Sequence, residues 1–299
     1  MRWHRPGERL ASGLVELFVV LGVIGVLLAM VFPAIQRVRE AANRTVCQSN
    51  MRQIALALHQ QHDDRAARSL LGIGWLVTLL PYVEQGTLWT QTQQALLTEP
   101  IATYLNPPHA GAARVLPLYT CPTDSRLRGA HVDPDGYPTA FTSYLGVRGG
   151  AWGQNQAGFF THNPLSFAAI QDGLSNTLLM GERPPPDTFL AGRWYSATYD
   201  NGWTYLCWRG PDHTMNTYYS AMVYIRASCA GDCSGPFRYG RGRTDNPCDR
   251  WHFWSLHPGG ANFAFGDGSV RFLSYSAEPI MIALATCNGG EVVSVADYD

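Results

Sequence analysis

The chain has 299 residues, of which 46% are hydrophobic and only 15% charged, which excludes a disordered protein and allows one large domain or two ordinary ones. Its net charge is −1 and it carries no long basic run, so nothing supports electrostatic binding to nucleic acid. Seven cysteines are too few for a disulfide scaffold, and their odd number leaves at least one free or intermolecular if the others pair.

Residues 1–11, MRWHRPGERLA, read as a basic leader broken by Pro6 and Gly7. From Leu14 to Phe32 the chain is almost wholly apolar, and Glu16 is its one ionisable residue. The run has the length that a helix needs to cross about 30 Å of hydrocarbon. It is longer than the apolar part of an ordinary signal peptide and runs into a second helical pattern, which favours a retained anchor at about 14–35. Beyond Pro33, the residues Ile35, Val38, Ala42, Val46, Cys47, Met51, Ile54 and Leu58 recur at three- to four-residue steps, the stripe of an amphipathic helix over about 36–60. One helix from Leu14 to His59 would be roughly 70 Å long. Pro33 should bend it.

The charges before and after the apolar run are equal, +2 from Arg2, Arg5, Glu8 and Arg9 against +2 from Arg37, Arg39, Glu40 and Arg44, so they do not orient it. The short leader and the cysteines place the N-terminus in the cytoplasm and the rest in an oxidising compartment.

From about residue 70 long helical periodicity is lost. Trp75–Val83 can hold a short helix, as can Ser175–Met180. Otherwise Gly, Pro, Asn and Asp clusters separate short aromatic or β-branched runs such as Tyr144–Val147 and Trp203–Leu206, the spacing of antiparallel β structure. The expected architecture is α+β: leader 1–11, long helix 12–61, and a β-rich head over 62–299. Asp267-Gly268 is a two-residue hairpin signal, and a type I′ turn there would pair Phe265 with Val270 and Phe263 with Phe272.

Three groupings suggest chemistry. Cys229-x3-Cys233 with Cys248-x3-His252 has a zinc-like outline, against which an exported head favours disulfides. His257 and Asp267 could form an acid–base pair, but no nucleophile motif accompanies them, so His257 reads better as a tether for the loop entering the hairpin. Glu16 lies in the apolar run, where an ionised carboxylate costs about 3 kcal/mol unless it snorkels to the interface or finds a partner. Nine Trp and 14 Tyr fit either a β core or an aromatic binding face.

The segment Ser12–Gly25, SGLVELFVVLGVIG, resembles the prepilin-type cleavage and methylation segment of type IV pilins and type II secretion pseudopilins. Counted from Ser12, Glu16 is the fifth residue and Pro33 the twenty-second, as in that family. The resemblance implies cleavage between Ala11 and Ser12 by a prepilin peptidase, N-methylation, and pairing of Glu16 with the terminal amine of a neighbouring pilin-like subunit. Arg39–Cys47, Asn50–His59, Leu80–Gln85, Tyr119–Asp124, Thr142–Gly146, 170–179, Gly181–Pro184 and the tail Ala283–Asp297 resemble a planctomycete-type group of unknown function. That group carries a C-terminal signature of His, nine residues, Asp-Gly, here His257, Asp267 and Gly268. Cys47 and Cys121 both lie in matching segments, and a disulfide joining helix to head is expected between them.

The expected function is therefore that of a non-enzymatic, cofactor-free structural subunit of a type II secretion or type IV pilus-like assembly. It would be single-pass in the cytoplasmic membrane, in contact with lipid, with its head outside. The rivals are an anchored protein that binds a glycan or another envelope ligand, and a hydrolase using His257 and Asp267.

Overall fold

The computed structural model describes residues 8–63, 73–99, 109–132, 136–147, 166–189, 191–195, 205–209, 214–216, 238–291 and 293. Ala11 and Ser12 fall on described helical backbone, while Trp203, Cys229 and Cys233 lie outside the described residues.

Helix α1 runs from Glu8 to Asp63 and continues through Pro33. Its first part is built from Leu, Val and Ile, and its second from Ala, Arg, Gln, Met and Leu, mostly strong helix formers. The chain divides into two compact units, 1–43 and 44–299, so the last turns of α1 belong to the head. There Cys47, Asn50, Met51, Ile54, Ala55 and Leu58 are buried, the three- and four-residue spacing of one helical face. The buried stripe begins at Cys47, not at Ile35: Ile35, Val38, Ala42 and Val46 are exposed. Val46 lies about 100° round the helix from Cys47, off the buried face. The other three precede the head and continue the exposed apolar surface of Leu17–Phe32.

Within the head, α2 (Trp75–Thr78) and a following 3-10 turn at Leu80–Tyr82 bury Trp75, Leu76, Val77, Leu79 and Leu80. Helix α3 spans Gly86–Thr98 and was not expected. Its buried positions are Leu88, Thr92 and Ala95, so a threonine interrupts the apolar stripe that would have revealed it. Thr92 is satisfied inside the protein: its hydroxyl donates to Leu88 O at 2.9 Å and accepts from Tyr195 Oη at 3.1 Å.

Among the described residues eight strands follow: β1 (His131–Val132), β2 (Pro138–Thr139), β3 (Tyr144–Val147), β4 (Leu178–Glu182), β5 (Tyr205–Arg209), β6 (Thr214–Asn216), β7 (Gly260–Phe265) and β8 (Val270–Ser274). β1 and β2 pair alone, and the rest form one sheet in the order β6-β5-β3-β4-β7-β8. All its pairs are antiparallel except β3 with β5. The fold is α+β, as expected. The helix expected at Ser175–Met180 is instead a 3-10 turn at Leu174–Asn176 leading into β4, because pairing with both β3 and β7 outweighs the local helical preference of Leu, Leu and Met.

The sheet is covered on both faces. Tyr144, Met180, Ala264 and Val270 join the core that includes Met51, Ile54 and Leu58 of α1. Leu145, Val147, Leu178, Phe263, Phe265 and Leu273 face the other core, with Met281, Leu284 and Ala285 of a short helix α4 (Met281–Ala285). A register shift in β4 between Leu178 and Met180 puts both Leu179 and Met180 on the α1 face. Glu182, two residues beyond Met180, therefore points to that face as well.

The hairpin lies where Asp267-Gly268 signals it, with a different register. Ala264 pairs with Val270, Phe263 with Arg271 and Asn262 with Phe272. Gly268 N donates to Phe265 O, and Phe265 N to Ser269 O. The loop thus has three residues, Gly266 to Gly268, and a bulge at the glycine in place of a two-residue type I′ turn. The one-residue slip sets Val270 and Phe272 opposite Ala264 and Asn262 in place of Phe265 and Phe263. Gly268 has φ +80° with nothing near its Cβ position, so Gly268→Ala should cost about 1 kcal/mol by backbone strain alone in equilibrium denaturation.

Candidate metal centre

Four segments far apart in sequence bring chemistry-bearing side chains to one point under α1. Cys47 comes from the first buried turn of α1. Cys121 follows a 3-10 turn at Pro117–Tyr119, which Pro117 starts. Glu182 ends β4, and His257 stands in the loop before β7. All four are buried, Cys47 completely and His257 to 2% exposure. Their Sγ, Sγ, carboxylate O and imidazole N atoms all lie within 4.8 Å of one another.

The geometry is held from outside. His257 Nε2 sits 3.5 Å from Cys121 Sγ and 3.4 Å from Glu182 Oε1. Asn262 donates to both carboxylate oxygens of Glu182, from Nδ2 at 3.0 Å and from its backbone N–H at 2.8 Å. Gln48, next to Cys47, donates in turn to Asn262 Oδ1 at 3.0 Å. Asn50 Nδ2 faces Pro117 O and Thr120 O, each at 3.2 Å, tying the Cys121 loop to α1. Cys121 N donates to Ser143 Oγ, and the His257 loop is braced by Ser255, whose hydroxyl accepts from His257 N and donates to Gly260 O.

The protonation pattern follows from these contacts. The Cys47 thiol donates to Cys121, which pushes Cys47 far up, and burial adds to it. The same hydrogen bond, opposed by burial and aided by His257, lowers Cys121 to about 6. Burial alone would depress His257, but hydrogen bonds to Cys121 and Glu182 outweigh it and raise the group to about 11. All four groups are buried away from water. Two sulfurs, one imidazole nitrogen and one carboxylate oxygen are also donors that a transition metal takes.

Sequence reasoning found three of these residues separately and joined them differently. Cys47 and Cys121 do meet, as free thiols here; Cys287 is the third free cysteine among the described residues. His257 does not meet Asp267. Asp267 is exposed at the far end of β7, where its carboxylate accepts from Ser269 N, so the acid–base pair is not assembled. His257 instead tethers its loop to Cys121 and Glu182. Glu182 was missed as a site residue, although it stands in the Gly181–Pro184 segment. Of the second zinc-like grouping, Cys248 is disulfide-bonded and His252 faces Asp249 at 3.2 Å.

One described helix, α1, is long and apolar enough to serve as a membrane anchor or a signal sequence, and none of its apolar window is buried in the protein. No curated protein and no solved structure matches the chain. A family described as "Protein of unknown function (DUF1559)" matches residues 36–279, a span that holds every described strand and all four residues of the cluster. With most of its length matched, the chain belongs to the DUF1559 family.

Proposed function

We propose that this protein is a pilin- or pseudopilin-like structural subunit of a type II secretion or type IV pilus-like assembly. In this reading it is anchored by a single span in the cytoplasmic membrane, with its head on the extracytoplasmic side. The observation that carries the reading is α1 itself. One unbroken helix bears a fully exposed apolar surface from Leu17 to Phe32 and then a buried face from Cys47 to Leu58. A helix apolar all round is stable in lipid, whereas one apolar stripe serves a protein core. Glu16 at the start of that surface and Pro33 at its end stand in the pilin register. The disulfide at Cys248 fits an oxidising compartment. The separation of His257 from Asp267 favours a structural role over a hydrolytic one. Its partners would be a prepilin peptidase, other pilin-like subunits and lipid.

The test has two arms. Intact-mass measurement of the membrane-extracted protein should give a chain beginning at N-methylated Ser12. An intact Met1 leader, or a soluble product cut after Phe32, would overturn the processing. Glu16→Ala removes a charge from the apolar run, so insertion should persist while co-purification with partner subunits falls several-fold. Equal recovery of variant and parent would sink the assembly role.

A further inference from the structure

We propose that Cys47, Cys121, Glu182 and His257 are the four protein ligands of a structural zinc ion that fixes the head-borne turns of α1 to the sheet. The inference stands on the geometry of the head and does not depend on the anchor reading. The donor set is the first argument. Two thiolates, an imidazole Nε2 and a carboxylate suit zinc; calcium and magnesium take oxygen ligands, and a carboxylate is a poor partner for copper(I). Distances are the second. Zinc with tetrahedral bonds to sulfur, nitrogen and oxygen sets neighbouring ligand atoms roughly 3.3–3.8 Å apart. The Cys121–His257 and His257–Glu182 separations, 3.5 and 3.4 Å, are already edges of such a tetrahedron. The remaining edges are within 4.8 Å, so contraction by at most about 1.5 Å closes them.

The surroundings are the third argument. Metal-bound carboxylates are held by outer hydrogen bonds, and Asn262 supplies one to each oxygen of Glu182. Four protein ligands leave no open position, and all four are buried, so the site is structural and not catalytic. A Cys47–Cys121 disulfide would use two of the four groups and leave a buried carboxylate and imidazole facing sulfurs that donate nothing. A metal uses all four.

The experiment takes the full-length chain in detergent, purified without chelator or added metal. Elemental analysis should find about one zinc per chain, the stoichiometry of a closed mononuclear site. After chelation and denaturation without reductant, Cys47 and Cys121 should both react with maleimide. Chelation of the folded protein should lower its melting temperature, and zinc alone should restore it. Cys121→Ser should lose the metal. Because that variant can fail to fold, Asn262→Ala is the second probe: it touches no metal and should weaken zinc retention about 10- to 100-fold. Metal-free protein with Cys47 cross-linked to Cys121, another metal in place of zinc, or unchanged zinc affinity in Asn262→Ala would overturn the proposal.

Discussion

His257→Ala should destabilise the head by about 3–5 kcal/mol, the scale seen when one partner of a buried charged pair is removed. The imidazole is 2% exposed and Glu182 is 1% exposed, so neither has water to fall back on. Without His257, Glu182 keeps, among the described residues, the two donors of Asn262. Cys121 loses the imidazole that faces its sulfur at 3.5 Å. The measurement is equilibrium denaturation followed by tryptophan fluorescence on chelator-treated protein, so that loss of a metal does not enter. Adding Glu182→Gln to His257→Ala removes the stranded charge and should recover part of the loss, with a coupling of about 0.5–3 kcal/mol. A cost below about 1 kcal/mol, the range of an ordinary exposed pair, would show that the two groups do not share a buried site. A variant that melts like the parent but loses a hydrolytic activity would make His257 a reacting group and revive the enzyme reading.

Local signals were legible where one segment decides its own structure. Tyr144–Val147 is a strand, Trp75–Thr78 a helix, and Gly268 takes the positive φ that a turn glycine permits. The hairpin register was not legible, because Asp267-Gly268 is compatible with a two- or a three-residue loop. What selects the longer loop is tertiary: Gly266 N donates to Thr177 O, and a Cβ at Gly266 would lie 2.9 Å from Leu174 O. Asn262 faces Glu182 through the register of β4 on β7, in which Gly181 lies opposite Phe263. Helix α3 was hidden by Thr92, whose burial depends on Tyr195, far away in sequence. The cluster was half legible. Cys47, Cys121, Glu182 and His257 each stand in a segment that carries the family resemblance, a signal that could have gathered them. Their convergence depends on the β4 register shift and on the order of β4 and β7, which no local pattern encodes.

Gly260→Ala should cost about 3 kcal/mol or more, the upper range for overpacking, while the neighbouring Gly259→Ala should cost about 1 kcal/mol. The two glycines fail for different reasons. A Cβ on Gly260 would lie 2.0 Å from Leu273 O and 2.9 Å from both Leu273 C and Ser274 Cα. These are backbone atoms of β8, so no rotamer change relieves the contact, and β7 must part from β8 where Gly260 pairs with Ser274. Separation there exposes Leu273, which is fully buried, and moves Gly260 O away from the Ser255 hydroxyl that braces the His257 loop. Gly259 has open space around its Cβ position, and its φ of +88° is its sole obstacle, a strain that alanine tolerates at modest cost. Denaturation midpoints of the two variants measured side by side test the argument. Equal destabilisation would mean that β8 yields easily at Ser274. A Gly260→Ala head that still folds should also retain less zinc than the parent, because the loop carrying His257 runs into that strand and is braced on Gly260 O.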